Sequence, residues 1–226
     1  MNEILSFKDL AYYYEGKARR MDILDGVDYS FEKGRLYTIL GPSGSGKTTT
    51  LSLAAALDAP KSGEILYEGR NIREIGAMKY RNSKIGIVFQ SYNLLPYMNA
   101  LQNVQMAMEI TENPVDRSKE RAYQLLEKMG LGSELVRRNI NRLSGGEQQR
   151  VAIARAISTG AQLILADEPT GNLDSKTAEE IIQLFVSLAH DDGKCVIAVT
   201  HSEAFAKCAD VVLNLADKKL VEARVG

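Results

Sequence analysis

Four short, predominantly apolar segments recur along the chain. They cover Leu36–Leu40, residues 85–89, residues 163–166 and Cys195–Val199. Strands that are apolar on both faces are typical of a parallel sheet with helices on each side. Segments with a helical period separate them, and the predicted helices span residues 47–57, 101–110, 117–129, a stretch after Ser144, and Ser175–His190. The pattern predicts an α/β protein with a parallel-sheet core.

Two regions interrupt this alternation. Near the start, residues 4–14 and 27–31 read as strands broken by a charged turn at 15–20, and residues 64–67 read as an edge strand after the turn at 60–63. Between about residues 91 and 159 the chain is mostly helical, with Pro114 separating two helices. Short strands near Val211 and Val221 follow the last helix. The simplest interpretation is a core interrupted by a helical insertion.

The composition limits which kinds of partner the protein can bind and in which cellular compartment it is expected. Lys and Arg number 28 against 29 Asp and Glu, a formal net charge of -1, which argues against a general nucleic-acid binder. No apolar run approaches the roughly 20 residues of a membrane-spanning helix, and the first residues lack the basic start of a signal peptide. Cys195 and Cys208 form no disulfide or zinc-ligand pattern. We therefore expect a cytoplasmic protein.

The segment after Leu36–Leu40 matches the pattern G-x-x-x-x-G-K-[ST] and begins a predicted helix. In that context the pattern indicates phosphate binding, because the glycines let successive N–H groups point at phosphate oxygens and the helix N-terminus adds positive charge. Lys47 adds a mobile full charge, and the Thr48 hydroxyl can bind Mg²⁺. The predicted phosphate-binding residues are Gly41, Pro42, Ser43, Gly44, Ser45, Gly46, Lys47 and Thr48, followed by Thr49.

Two carboxylates, Asp167 and Glu168, follow the apolar strand 163–166. A carboxylate at a strand end can hold Mg²⁺ and its water shell, which we assign to Asp167. Its neighbour points to the other face and can orient and deprotonate a water, which makes Glu168 the candidate catalytic base. Taken alone, this pair also fits a strand end that simply meets solvent.

The carboxyl ends of parallel strands meet at one edge of the sheet, where ligands bind. Gln90 follows the strand 85–89, and His201 is the second residue after Cys195–Val199. We predict that Gln90 completes the Mg²⁺ shell and senses the γ-phosphate, and that His201 hydrogen-bonds the γ-phosphate. Each residue alone would more simply be a polar strand terminator or a structural histidine. The phosphate loop and carboxylates beside them favour the functional interpretation.

A second anion site is predicted at Ser144, Gly145 and Gly146. Ser144 and Glu147 have the spacing of a capping box at the start of a helix. Capping does not explain two glycines in a first helical turn, each of which costs about 1 kcal/mol relative to alanine. They leave bare backbone N–H groups beside a serine hydroxyl at a positive helix end, and this arrangement suits an anion.

These segments, with Asn172, Leu173 and Asp174, occur in an order that resembles the ATP-binding subunits of ABC transporters over essentially the whole chain. The sequence Leu-Ser-Gly-Gly-Glu at 143–147 separates that family from other P-loop proteins and argues against a P-loop kinase. The resemblance implies one ABC ATPase domain over residues 1–226, with a RecA-like P-loop core, an N-terminal antiparallel β subdomain and an α-helical subdomain inserted at 91–159. It also implies hydrolysis of ATP with Mg²⁺.

The resemblance further implies a head-to-tail homodimer. The loop around Lys47 in one subunit and Ser144, Gly145 and Gly146 in the other would enclose the same ATP, and Asp174 would join the nucleotide site. The family also has an aromatic side chain that stacks on adenine. Tyr14 fits best and Tyr13 remains possible, since alternation along a strand puts only one of them on the right face.

Residues 89–96, 100–104 and 166–174 look like the branch that contains macrolide exporters, lipoprotein-releasing complexes, cell-division ABC ATPases and bacitracin or lantibiotic resistance pumps. The implied role is an ATPase at the inner face of the cell membrane that drives separate permease subunits in export or extracytoplasmic work. A non-transport ATPase that regulates a cell-envelope complex is the alternative. Gln102 departs from the Glu usual in that branch. The apolar run 92–98 would receive a helix of the permease, or would pack the insertion onto the core.

Overall fold

The computed structural model describes residues 2–16, 20–111 and 118–223. Pro114, the first residue of the predicted helix 117–129 and the middle of the predicted turn 15–20 lie outside the described residues. Among the described residues, no helix combines the length and apolar character that crossing a bilayer requires.

A six-stranded sheet forms the centre of the molecule, in the order β10-β9-β3-β8-β7-β6. All neighbours are parallel except β10, which pairs antiparallel with β9 at one edge. The strands are β3 (Leu36–Leu40), β6 (Ile85–Val88), β7 (Leu163–Asp167), β8 (Cys195–Val199), β9 (Val211–Ala216) and β10 (Lys219–Glu222). The four predicted apolar segments are β3, β8, β7 and β6, four consecutive parallel strands that helices or the second sheet cover on both faces.

A second, antiparallel sheet lies at the N-terminal end, in the order β2-β1-β4-β5. Its strands are β1 (Glu3–Glu15), β2 (Arg20–Glu32), β4 (Ser62–Tyr67) and β5 (Arg70–Asn71). The expectation that β4 is an edge strand is wrong, because it pairs with β1 on one side and with the two-residue β5 on the other. Strand β2 is also longer than the predicted 27–31, since polar residues at 22, 25 and 28 interrupt its apolar pattern.

Helices cover the central sheet and fill the insertion. They are α1 (Lys47–Ala54), α2 (Ile72–Ile75), α3 (Ala77–Ser83), α4 (Ala100–Glu109), α5 (Ser118–Lys128), α6 (Ser133–Val136), α7 (Gly145–Ile157), α8 (Ser175–His190) and α9 (Glu203–Lys207), with a 3₁₀ turn at Ile140–Arg142. Helix α1 ends before the predicted residue 57 because Ala56 has a left-handed φ of 51°. The sequence interpretation missed α2 and α3. Helices α4 to α7 lie between β6 and β7 in the chain.

Two hydrophobic cores flank the central sheet, and its residues alternate between them. Leu36, Ile164 and Val196 face the core that contains helices α4 to α8. Tyr37 and Ile197 face the opposite core, which includes α1 and the antiparallel sheet. Helix α7 contributes to the first core and contacts β6, α4, α5 and α8. The carboxyl ends of the central strands are thereby held in fixed positions.

Candidate functional site

The phosphate loop joins β3 to α1 and permits only glycine at Gly46. This residue has a φ of 103°, and a Cβ atom there would lie 2.2 Å from Cγ2 of Ile23. Gly46 is also the N-cap of α1, and no side chain caps the helix. The first amides of α1 therefore face the loop without side-chain acceptors, which is the arrangement that binds phosphate oxygens.

Lys47 is folded into this loop. Its side chain is 7% exposed, and its Nζ donates to the carbonyl oxygens of Gly41 at 2.8 Å and Pro42 at 3.1 Å. Within the described part of the chain, Ser45 Oγ is buried without a hydrogen-bond partner. A buried ammonium and an unsatisfied hydroxyl in one glycine-rich loop fit an anionic ligand.

The side chains of Thr48 and Asp167 are in contact, although β8 separates β3 from β7 in the sheet. The Thr48 hydroxyl, at the start of α1, donates to Oδ1 of Asp167, at the end of β7, over 3.3 Å. Burial raises the pKa of the Asp167 carboxyl, against the opposing hydrogen bond from Thr48. A hydroxyl and a carboxylate are oxygen donors of the kind that Mg²⁺ prefers, so this pair fits the predicted ion.

Glu168 and His201 form a second pair beside the first. His201 Nε2 lies 2.8 Å from Oε1 of Glu168, and the His201 amide donates to Oε2 at 3.2 Å. Glu168 has a left-handed φ of 44° and donates its own amide to the Val199 carbonyl of β8. His201, which follows the neighbouring strand β8, therefore orients both carboxylate oxygens of Glu168.

Gln90 is exposed just after β6 and contacts the turn between β7 and α8. Asn172 Nδ2 donates to the Gln90 carbonyl at 3.0 Å, and Gln90 Nε2 lies 3.2 Å from the position of a Cβ on Gly171. The structure therefore ties Gln90 to residues 171–172. Its predicted contact with Mg²⁺ stays a prediction.

Ser144 begins α7 with the predicted capping box. Its hydroxyl accepts from the Glu147 amide, and the Glu147 carboxylate accepts from the Ser144 amide at 2.7 Å. Gly146 has a packing role as well, since a Cβ there would lie 2.4 Å from Thr177 Cγ2 of α8. Helix α7 packs on β6, which is three strand spacings, about 14 Å, from β3 in the sheet. The two predicted anion sites of one chain are therefore separate.

Tyr14 and Tyr13 lie on opposite faces of β1. The Tyr14 hydroxyl lies 3.1 Å from Thr49 Oγ1 of α1, and 45% of Tyr14 is exposed. Tyr13 instead has the Arg20 guanidinium 3.7 Å above its ring. Tyr14 is therefore an aromatic residue beside the phosphate-loop helix, and its stacking on adenine stays a prediction.

Asp174 caps α8 rather than facing the phosphate loop. Its carboxylate accepts from the Thr177 amide at 3.1 Å and from the Thr177 hydroxyl at 2.6 Å. The Thr177 hydroxyl and amide together lower the pKa of the Asp174 carboxyl. The observed contacts of Asp174 lie within its own helix start, and its nucleotide role stays a prediction.

The sequence interpretation missed residues that hold this edge together. Arg155 of α7 donates to the carbonyls of Tyr92 and Asn93, which follow Gln90. No pattern in the sequence marks this contact, because it joins residues more than 60 positions apart. The departure at Gln102 has a local explanation, because Gln102 completes the capping box of α4 with Asn99.

Comparison with known proteins identifies a family. The family described as ABC transporter matches residues 24–171. An uncharacterised ABC transporter ATP-binding protein of Bacillus subtilis, YclH, is 50% identical over 94% of this chain and 93% of its own length. Lipoprotein-releasing system ATP-binding protein LolD 2 of Chlorobaculum tepidum is 44% identical over 88% of this chain and 84% of its own. The macrolide export ATP-binding/permease protein MacB of Syntrophobacter fumaroxidans is 39% identical over 95% of this chain and 31% of its own length.

Solved structures give the same result. MJ0796, a bacterial ABC transporter cassette solved as a dimer, superposes with a TM-score of 0.89 at 35% identity, covering 99% of each chain. The same cassette was also solved as a dimer in a post-hydrolysis state bound to ADP and Pi, with the same TM-score and coverage. The predicted RecA-like α/β fold class and the predicted branch are confirmed. Proteins of this family use ATP as substrate together with Mg²⁺. The chain belongs to the ABC transporter family, as one of its ATP-hydrolysing cassettes.

Proposed function

We propose that this chain dimerises head to tail on two ATP molecules and drives separate membrane permease subunits. The observation that carries the proposal is the separation of two anion-binding helix ends, at α1 and at α7, in one chain. Neither end encloses a nucleotide alone. A second copy rotated about a two-fold axis would bring the α7 start of each chain over the α1 start of the other.

The α1 half of the site holds the triphosphate. Backbone amides between Gly41 and Thr49, apart from Pro42, which has no N–H, surround the phosphates, and Lys47 exchanges its loop carbonyls for phosphate oxygens. Thr48 and Asp167 hold Mg²⁺, which neutralises phosphate charge when bound. Tyr14 supports the adenine from the end of β1. Gln90 adds an amide that senses the γ-phosphate from β6.

Hydrolysis depends on Glu168 and His201. Glu168 accepts a proton from a water, whose oxygen attacks the γ-phosphorus, and the bond to the bridging oxygen of ADP breaks. His201 holds both oxygens of the carboxylate and so orients the lone pair that takes the proton. The imidazole edge also offers a hydrogen bond to the γ-phosphate.

The α7 half supplies donors to the nucleotide of the partner copy. The Ser144 hydroxyl accepts the Glu147 amide, which leaves its own proton free to donate to a phosphate oxygen. Gly145 and Gly146 add bare amides at the positive end of a helix of 13 residues. Asp174, at the start of α8, lies close to the same surface.

A groove for the permease lies between the sheet edge and the insertion. It has a volume of about 320 Å³ and is lined by residues that include Ile87, Leu95, Met106 and Ile110. Ile110 is 62% exposed, and Tyr97, two residues beyond Leu95, is 73% exposed. Burial of such side chains is worth about 2 kcal/mol each, enough for a few of them to hold a short helix. The partly buried Leu94 packs instead on the core, which is the alternative interpretation of the run 92–98.

The resemblance to the lipoprotein-releasing and macrolide-exporting proteins supports a role in export or extracytoplasmic mechanical work. The cassette would then act at the cytoplasmic face of the membrane, bound there through its permease. The cargo would contact the permease rather than this chain.

Two variants test the permease contact, one in the groove at Ile110 and one outside its lining at Tyr97. Tyr97→Asp and Ile110→Asp place a charge on exposed apolar positions, so the isolated cassette should keep its ATPase activity and lose co-purification with the permease. Val221→Asp, which changes a residue 55% exposed on β10, is the matched control and should keep both. Retained assembly in both variants would place the permease contact elsewhere. A wild-type cassette that co-purifies only with a cell-envelope regulator would favour the non-transport alternative.

A further inference from the structure

The segment that follows Gln90 is held in an unusual backbone conformation. Tyr92 and Asn93 have left-handed φ values of 60° and 49°, and neither is glycine. Two consecutive residues in this region are disfavoured sterically and persist only when surrounding contacts require them.

One side chain supplies those contacts. Arg155 of α7 donates through one guanidinium nitrogen to the Asn93 carbonyl at 2.5 Å and through another to the Tyr92 carbonyl at 2.9 Å. Within the described part of the chain, no carboxylate pairs with Arg155. The planar guanidinium therefore donates to two consecutive backbone carbonyls, and the fixed spacing of its N–H groups suits this arrangement.

Tyr92 also reaches the other end of the same helix. Its hydroxyl lies 3.0 Å from the position of a Cβ on Gly145, in the first turn of α7. Ten residues separate Gly145 from Arg155, a distance of about 15 Å along a helix axis. The Tyr92 side chain thus lies along α7, with its backbone held by Arg155 and its ring tip against the start of the helix.

We propose that Arg155 and Tyr92 form a clamp that makes the Gln90 segment and α7 move as one body. Through it, contact of Gln90 with the γ-phosphate in its own subunit sets the position of Ser144 toward the nucleotide of the partner subunit. Arg155 is a positioning residue, since it reaches the nucleotide site only through other residues. The inference rests on the proposed function, which assigns Gln90 and Ser144 to the two halves of the dimer site.

The first test measures ATP-driven dimerisation in the Glu168→Gln background by light scattering after size exclusion. Arg155→Met removes both hydrogen bonds to the Gln90 segment and should raise the ATP concentration at half-dimerisation about tenfold, because the monomer loses part of the same stabilisation. Arg155→Lys should raise it less, because an ammonium can hold one carbonyl. ATP binding to the monomer should stay close to that of the parent, whereas the thermal midpoint should fall, because two charge-assisted hydrogen bonds that support Tyr92 and Asn93 are lost.

Arg150→Met is the matched control. Arg150 is also on α7 and also donates to a carbonyl, that of Met129, but it pairs with Glu180 away from the Gln90 segment. Dimerisation of this variant should match the parent within about twofold, since its contacts lie outside the clamp. Equal shifts in both variants would show a general effect on α7, and no shift in either would show that Arg155 transmits nothing. Both results overturn the proposal.

Hydrogen exchange on the monomer separates this inference from the proposed function. In the parent, ATP should slow amide exchange both at residues 90–94 and at residues 144–149, whether or not a dimer forms. In Arg155→Met the change at 144–149 should disappear while that at 90–94 remains. A parent in which ATP alters only residues 90–94, or a variant that keeps both changes, would overturn the clamp. Failure of the parent to dimerise would instead overturn the proposed function.

Discussion

Helix α1 begins at Gly46 without a side-chain cap, whereas helix α7 begins at Ser144 with a complete capping box. The first amides of α1 have no side-chain acceptors and lie beside a buried lysine, so this end requires an anion to be satisfied. At α7 the Ser144 and Glu147 side chains already satisfy two donors. Under the proposed function, this difference means that α1 acquires the nucleotide and that α7 is a preformed surface presented to a nucleotide held by the other copy.

The largest expected effect concerns chemistry at the α1 side. Glu168→Gln keeps the shape of the side chain but removes the base, so the ATPase rate should fall roughly 10²- to 10⁴-fold. ATP should then hold a stable dimer, because closure no longer leads to hydrolysis. Phosphate release and light scattering measure the two results. The control is Glu203→Gln, an exposed change on α9, which should behave as wild type. An unchanged ATPase rate in Glu168→Gln would show that Glu168 is not the catalytic base.

Loss of Lys47 should break the α1 side at the binding step. Lys47→Ala removes a charge that would make two or more charge-assisted hydrogen bonds to phosphate, so ATP affinity should fall about 100-fold or more. Calorimetry on the monomer measures it, with the exposed Lys207→Ala on α9 as control. Affinity within a few-fold of wild type would contradict the assignment of the loop.

The two sides should also differ in how their carboxylates affect stability. Burial raises the pKa of Asp167, so its ionised form is penalised in the folded state without Mg²⁺. Asp167→Asn should therefore stabilise the nucleotide-free protein at neutral pH. That gain should shrink as the pH falls through the raised pKa and vanish below the ordinary aspartate pKa.

The ionised carboxylate of Asp174 has the opposite effect on folding stability. Thr177 lowers the pKa of its carboxyl, so ionised Asp174 stabilises the fold above the ordinary aspartate pKa, and this contribution is lost as the pH falls through the lowered value. Asp174→Asn should lower the thermal midpoint at neutral pH, and the deficit should shrink on acidification. Thermal unfolding from pH 7 downward measures both variants. Thermal midpoints that shift in the same direction in Asp167→Asn and Asp174→Asn at neutral pH would contradict this difference between the two carboxylates.

The smallest effect concerns the charge beside Ser144. Glu147→Gln keeps a side chain able to accept from the Ser144 amide but removes a negative charge from the surface that meets a phosphate. In the Glu168→Gln background, half-dimerisation should occur at an ATP concentration about two- to fivefold lower, the scale of a charge at a helix end. Glu120→Gln, in the first turn of α5, is the matched control. Weaker dimerisation in Glu147→Gln would mean that the carboxylate itself contributes to closure.

The sequence predicted the parts of the fold whose signals are local. The limits of Leu36–Leu40 and Cys195–Val199 are as predicted, because a strand covered on both faces is apolar throughout. Helices α2 and α3 were missed because they are short and separated by Gly76, although Asn71 caps the first of them. Asp167 and Thr48 could be placed together because the carboxyl ends of parallel strands meet at one edge of the sheet, although β8 lies between their strands. The Arg155 contact with Tyr92 and Asn93 is invisible to pattern analysis, since it depends on tertiary packing and on two left-handed residues that no glycine marks.

A mixing experiment tests most directly that each nucleotide site is shared by two copies. One preparation carries Lys47→Ala and the other carries Ser144→Arg, so neither has a complete site as a homodimer. A mixed dimer has one complete site, made from Lys47 of the second chain and Ser144 of the first. The ATPase rate of the one-to-one mixture should therefore exceed the sum of the rates of the two preparations measured separately. A rate equal to that sum would show that α1 and α7 do not act across the dimer.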